Sequence, residues 1–144
     1  MSVLLVEDDP GVRQTFGSIL ERAGFSITAV GGGVAAFAEL RKKSFDAVVC
    51  DVILPLVDGT SFYEAMRDEF PELSDRVIFV SGWVGDEKIR RLLDYTGQPY
   101  LTKPVKIQTL VETVQQIAGY ADDKGPAGMP FSEDFWMERS LHRR

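Results

Sequence analysis

Four short apolar runs in this chain each end on polar residues: VLLVEDD on Glu7 and Asp8, AVVCDV on Asp51, VIFVSG on Ser81 and YLTKP on Lys103. Each is brief, rich in β-branched residues and bounded by turn or helix-start residues, which is the pattern of a buried parallel strand. The pattern predicts strand one over residues 2–6. Asp9-Pro10 then opens a helix, with Asp9 at N-cap and Pro10 at N1, where its missing N–H costs nothing. Val12, Phe16, Ile19, Leu20 and Ala23 follow at helical spacing, and Gly24 falls at C′. Strand two is expected over about 25–30, a loop over Gly31–Gly33, and a short helix over Val34–Lys43 with Phe37 and Leu40 inward. Strand three, Ala47–Cys50, delivers Asp51; Leu54-Pro55 and Asp58-Gly59 make the next loop; a helix with Phe62, Met66 and Phe70 runs to Pro71. Strand four is Val77–Val80. Gly85-Asp86 starts a helix with Ile89, Leu92 and Leu93 that stops at Gly97; strand five is Tyr100–Thr102 and the last helix Val105–Ala118. Pro99 supplies no N–H, so its end of strand five should be an edge or start position.

Five strands alternating with five helices over short links demand a parallel sheet with right-handed crossovers. The doubly wound order 2-1-3-4-5 puts strands one and three side by side at the switch point, and ligands of such sheets gather outside the carboxyl ends of the strands. Glu7, Asp8, Asp51, Ser81 and Lys103 should therefore meet at one site.

A chain of 144 residues is one domain with room for a core. Apolar content of 44% and charged content of 26% are ordinary for a globular protein. A formal charge of −6 with no basic cluster argues against nucleic-acid binding, and part of that acidity is the pocket itself. Cys50 is the single cysteine, which excludes an intramolecular disulfide and fits a reducing compartment; its bland role is a small buried hydrophobe. No apolar stretch approaches the roughly 18 residues of a membrane span, and the first residues enter strand one at once. A soluble, cytoplasmic protein is expected. The main domain is read as residues 1–119, and residues 120–144 as a linker, Asp122 to Pro126, and a short tail able to form a helix. The tail carries Phe131, Phe135, Trp136, Met137 and Leu141, apolar enough to seek cover on the face of helix four, strand five and helix five. His142, the only histidine, receives no role.

The chemistry of the five strand-end residues is narrow. Carboxylate oxygens suit Mg²⁺, and a metal, a hydroxyl and a lysine together suit a phosphoryl group. Alone, Glu7-Asp8-Asp9 would read as a solvated charge run and Lys103 as a solvated lysine. Opposite Asp51 the acids form a cluster that a cation or proton must relieve. Asp8 and Asp51 are the direct metal ligands in this reading, Glu7 acts through water, and Asp9 is mainly a cap. Gly82 leaves space for a phosphate oxygen beside Ser81.

This set resembles the receiver domain of the response regulators of two-component signalling, over roughly residues 2–118. The resemblance implies a flavodoxin-like (βα)₅ fold and a phosphoacceptor, not an enzyme, that assists its own phosphorylation and slow dephosphorylation. It implies that Asp51 takes a phosphoryl group from a phosphohistidine on a histidine kinase or histidine phosphotransfer protein, with Mg²⁺. By position, Glu7 and Asp8 resemble the family's acidic pair, Ser81 its hydroxyl residue, Tyr100 its switch aromatic and Lys103 its lysine. The resemblance also implies a metal ligand in the backbone carbonyl of Ile53 and a cis Lys103–Pro104 bond. Phosphorylation would draw Ser81 inward, move Tyr100 to another rotamer and remodel the face of helix four, strand five and helix five for a downstream protein. No nucleic acid and no membrane are expected as partners, and the state is a monomer or weak homodimer. Two positions depart from the family's habit of polar residues flanking the phosphoryl group: Ile53 and Trp83 are bulky and apolar, and shield it. Two rivals stand beside this reading. One is a phosphate-independent interaction module of the same fold. The other is an Asp-nucleophile phosphatase of the haloacid-dehalogenase type, which needs a second aspartate where Ile53 stands. The GQPYLTKP segment resembles receivers at the ends of hybrid sensor kinases, so a free-standing regulator and a hybrid-kinase receiver both remain open.

Overall fold

The computed structural model describes residues 1–54, 59–82 and 85–119. Its order is β1 (Ser2–Val6), α1 (Pro10–Arg22), β2 (Ser26–Val30), α2 (Gly33–Lys42), β3 (Ala47–Asp51), α3 (Gly59–Glu69), a 3-10 helix (Pro71–Arg76), β4 (Val77–Ser81), α4 (Glu87–Thr96), β5 (Tyr100–Thr102) and α5 (Ile107–Gly119). The five strands form one parallel sheet in the order β2-β1-β3-β4-β5, as the alternation requires.

The central strands β3 and β4 are buried along their whole length, which explains their continuous apolar runs. Alternate side chains feed two cores. Leu4, Val6, Val48, Cys50, Val77 and Phe79 face one side, where Leu40, Phe62, Met66 and Leu93 of α2, α3 and α4 cover them. Val3, Leu5, Ala47, Val49, Ile78 and Val80 face the other, against Phe16 and Leu20 of α1 and Leu110, Val114 and Ile117 of α5. A one-residue slip in any strand would exchange these sets, so the register is strongly specified. Cys50 is fully buried within the first core.

Local signals place the helix ends. Asp9 caps α1 by accepting from the N–H groups of Gly11 and Val12, with Pro10 in the first turn. Asp86 caps α4 on Lys88 and Ile89, and Gly97 ends it in the left-handed region at φ 72°. Two elements differ from the sequence reading. The last helix begins at Ile107, two residues later than expected, because its first bond runs from the Leu110 N–H to the Lys106 carbonyl. The chain after α3 forms a 3-10 helix that was not expected. Pro71 cannot extend α3, and a tight turn through the Leu73 N–H to the Phe70 carbonyl brings Leu73 into the core. Two apolar residues around a proline are too few to show a period. Pro99 lies just before β5, the edge strand, and its carbonyl accepts from the Phe79 N–H at 3.0 Å. The expectations for Pro55, Asp58, Trp83 and the 120–144 tail fall outside the described residues.

Candidate phosphoacceptor site

The ladder that builds the sheet also fixes the backbone of the site. Val6 pairs with Cys50, so the next residues on, Glu7 and Asp51, leave the carboxyl edge side by side. The Glu7 N–H extends the ladder to the Val30 carbonyl at 3.0 Å, the Val52 N–H to Val80 at 3.2 Å and the Lys103 N–H to Ser81 at 2.9 Å. Three chain segments are thus pinned just where their side chains turn toward one another.

Lys103 joins them. Its Nζ donates to Glu7 Oε1 and to Asp51 Oδ2, each at 2.7 Å. The other carboxylate oxygens are held by backbone: Asp51 Oδ1 accepts from the Ile53 N–H at 2.9 Å and Glu7 Oε2 from the Asp9 N–H at 3.2 Å. Glu7 is 2% exposed and Asp51 is 7% exposed, whereas Asp8 is exposed at the rim. The three carboxyl groups still offer oxygens that all lie within 4.8 Å of one another, a hard-oxygen donor set that fits Mg²⁺. Ser81 is fully buried at the end of β4. Gly82 follows it, and a Cβ there would stand 3.9 Å from that of Lys103. Tyr100 is buried at the start of β5, in register with Phe79 and within the first core. Ile53 is 45% exposed beside Asp51. The Lys103–Pro104 peptide is cis, as the resemblance implies.

Electrostatics set the acids apart. Burial is the largest influence on Glu7 and lifts its carboxyl to about 7, with the negative charge of Asp51 adding to the rise; Lys103 and the Asp9 N–H oppose it. Burial pulls the Lys103 ammonium down, but hydrogen bonds to Asp51 and Glu7 more than offset this, and its net shift is upward. Lys103 therefore stays charged while Glu7 titrates. Between pH 4.5 and about 7 the folded protein holds a proton on Glu7 that the unfolded chain releases. Metal-free stability should therefore fall as pH rises through that window, by roughly 3 kcal/mol at most. Glu7→Gln, which cannot titrate, should lose that component. Parallel pH profiles of the melting temperature for the two proteins would refute it.

Nothing in the pattern of the sequence marks Arg13. Its guanidinium donates to the Glu7 carbonyl at 2.8 Å and reaches the Asp8 carbonyl at 3.5 Å. An arginine one turn into an amphipathic helix reads as solvated, so no signal pointed to it.

Comparison with known proteins settles the kind of domain. The description "response regulator receiver domain" matches residues 3–115. The chain belongs to the response regulator receiver family. This receiver is 30% identical over 129 residues to the sensory transduction protein RegX3 of Mycolicibacterium smegmatis, covering 88% of this chain and 54% of that one. It is 31% identical over 118 residues to the sensor kinase CckA of Brucella abortus, covering 81% of this chain and 12% of the kinase. The receiver thus spans about half or less of these curated relatives. The solved receiver domain of the Francisella response regulator 1452 superposes with a TM-score of 0.74 at 26% identity, covering 83% of this chain and 98% of that one. No helix among the described residues is long and apolar enough to cross a membrane.

Proposed function

We propose that this receiver accepts a phosphoryl group on Asp51 from a phosphohistidine of a histidine kinase or histidine phosphotransfer protein. The observation that carries the reading is Lys103 Nζ, 2.7 Å from both Asp51 and Glu7, with Asp8 completing the acidic set. A carboxylate oxygen of Asp51 attacks phosphorus, the P–N bond breaks, and the histidine nitrogen leaves with its electron pair. Little covalent chemistry falls to the protein beyond this; positioning and charge neutralisation do the rest. The ladder bonds and the Ile53 N–H hold Asp51 in one orientation. Lys103 supplies positive charge for a phosphoryl oxygen and Ser81 a hydroxyl donor. Glu7, Asp8, Asp51 and the Ile53 carbonyl would hold Mg²⁺, which supplies further charge neutralisation. The new charge at Asp51 draws on Ser81 at the end of β4. Tyr100 faces Phe79 in the adjacent register and changes rotamer in response. The surface of α4, β5 and α5 then carries the signal to a protein partner, by biasing a two-state domain.

The test is incubation with a small acyl-phosphate donor and MgCl₂, followed by intact-mass analysis. One phosphoryl addition, suppressed by a chelator, is expected. No uptake by a folded protein would favour the phosphate-independent module instead.

The phosphoryl group should persist for minutes to hours. Ile53 stands half-exposed beside Asp51 and offers an attacking water no polar guide. Ile53→Asn combined with Trp83→Glu should speed its loss about tenfold, or ~1.4 kcal/mol of barrier. Decay of the wild-type phosphoprotein within seconds would overturn the shielding argument.

A further inference from the structure

The acidic pocket poses a mechanical problem. Glu7 and Asp51 are buried and each shares Lys103, but Asp8 is exposed on the turn between β1 and α1. Its carboxylate nevertheless lies within 4.8 Å of the other two, where like charge opposes the approach. Something must hold that turn. Its flanks are fastened, by the Glu7 N–H on Val30 at one end and the Asp9 cap on Gly11 and Val12 at the other. Between them, the peptide planes that aim the Asp8 side chain carry carbonyls on Glu7 and Asp8, and both face Arg13 Nη1, at 2.8 and 3.5 Å. Arg13 is itself anchored, since its N–H donates to the Asp9 carbonyl at 2.8 Å. Its guanidinium passes close to the loop after β2, where a Cβ on Gly31 would stand only 3.1 Å from Nη1. A side chain at this point would oblige the guanidinium to give by a few tenths of an ångström.

We propose that Arg13 is the positioning residue of the metal pocket: it clamps the carbonyls of Glu7 and Asp8 so that the turn presents the Asp8 carboxylate to Asp51 and to Mg²⁺, with Gly31 leaving space for the clamp. This rests on the phosphoacceptor reading above. Arg13 touches neither the reacting atoms nor the metal, so its removal acts on how readily the pocket takes Mg²⁺. Partners in the second layer around a metal typically change affinity by about tenfold to a hundredfold.

The experiment is calorimetric titration of MgCl₂ into the full chain, beside phosphorylation rates at low and saturating Mg²⁺. Arg13→Ala should weaken Mg²⁺ binding about tenfold and slow phosphorylation at low Mg²⁺, with the rate recovering at saturation. Arg13→Lys, which can still donate to the Glu7 carbonyl, should restore part of the affinity. Gly31→Ala, which leaves every pocket side chain in place, should weaken binding in the wild type but add nothing in the Arg13→Ala background. Wild-type Mg²⁺ affinity in Arg13→Ala, or losses from Arg13→Ala and Gly31→Ala that simply add, would overturn the clamp. A wild-type protein that binds no Mg²⁺ would instead overturn the phosphoacceptor reading, so the two failures are distinguishable.

Discussion

Asp51→Ala should abolish phosphoryl uptake altogether while leaving a folded protein. Asp51 is buried, with a lysine on one oxygen and a backbone N–H on the other, an arrangement it shares with Glu7. Asp8 is exposed, and Glu7, lifted to about 7, keeps its proton over much of the acidic range. Neither is an equal substitute as acceptor. Alanine also removes one of two buried carboxylates bonded to Lys103, and with it the Asp51 charge that helps to raise Glu7, which keeps its own bond to Lys103. The variant should therefore fold. Intact-mass and peptide analysis after treatment with an acyl-phosphate donor and MgCl₂ measures this. Uptake by Asp51→Ala, or a second site of equal occupancy in the wild type, would sink Asp51 as the acceptor.

Asp8→Asn should lower phosphorylation at a fixed, sub-saturating Mg²⁺ concentration by about a hundredfold or more. Outer partners of a metal commonly change affinity by about tenfold to a hundredfold, and a charged direct ligand should matter at least as much. The metal-free fold should be no less stable, because the change removes one charge from a cluster of three carboxylates within 4.8 Å. The gain should be small, since Asp8 is exposed and its repulsion is screened by water. Asparagine keeps the size of the side chain, so a loss of activity cannot be laid to a cavity. Rates across a Mg²⁺ series, with melting curves in chelator, separate the two effects. A clearly lowered metal-free melting temperature would argue against a repulsive pocket, and an unchanged Mg²⁺ dependence would remove Asp8 from the metal site.

Much of this was legible along the chain because it depends on neighbours in sequence. Apolar runs of strand length, Asp9 and Asp86 at helix starts and Gly97 at a helix end act over a few residues, so the alternation of strands and helices could be read directly. The parallel sheet then follows from short links and right-handed crossovers, and with it the meeting of Glu7, Asp8, Asp51, Ser81 and Lys103 at one edge. The 3-10 helix after α3 was missed because Pro71 and Leu73 are too few residues to show a period. It exists because burying Leu73 favours a turn that local propensity only permits.

The sequence by itself determined which residues reach the carboxyl edge of the sheet and what chemistry they bring. Only the tertiary structure decided how they divide the work. Glu7 and Asp8 are adjacent acids that no local pattern distinguishes, yet one is buried against Lys103, 96 positions away, and the other is left at the rim. That difference sets Glu7 near neutrality, because the charge of a carboxyl depends on the water it loses and the ions it gains in space. Arg13 follows the same logic: on a helix it is one more polar residue, and its role exists only once β1, α1 and the loop at Gly31 converge on its guanidinium.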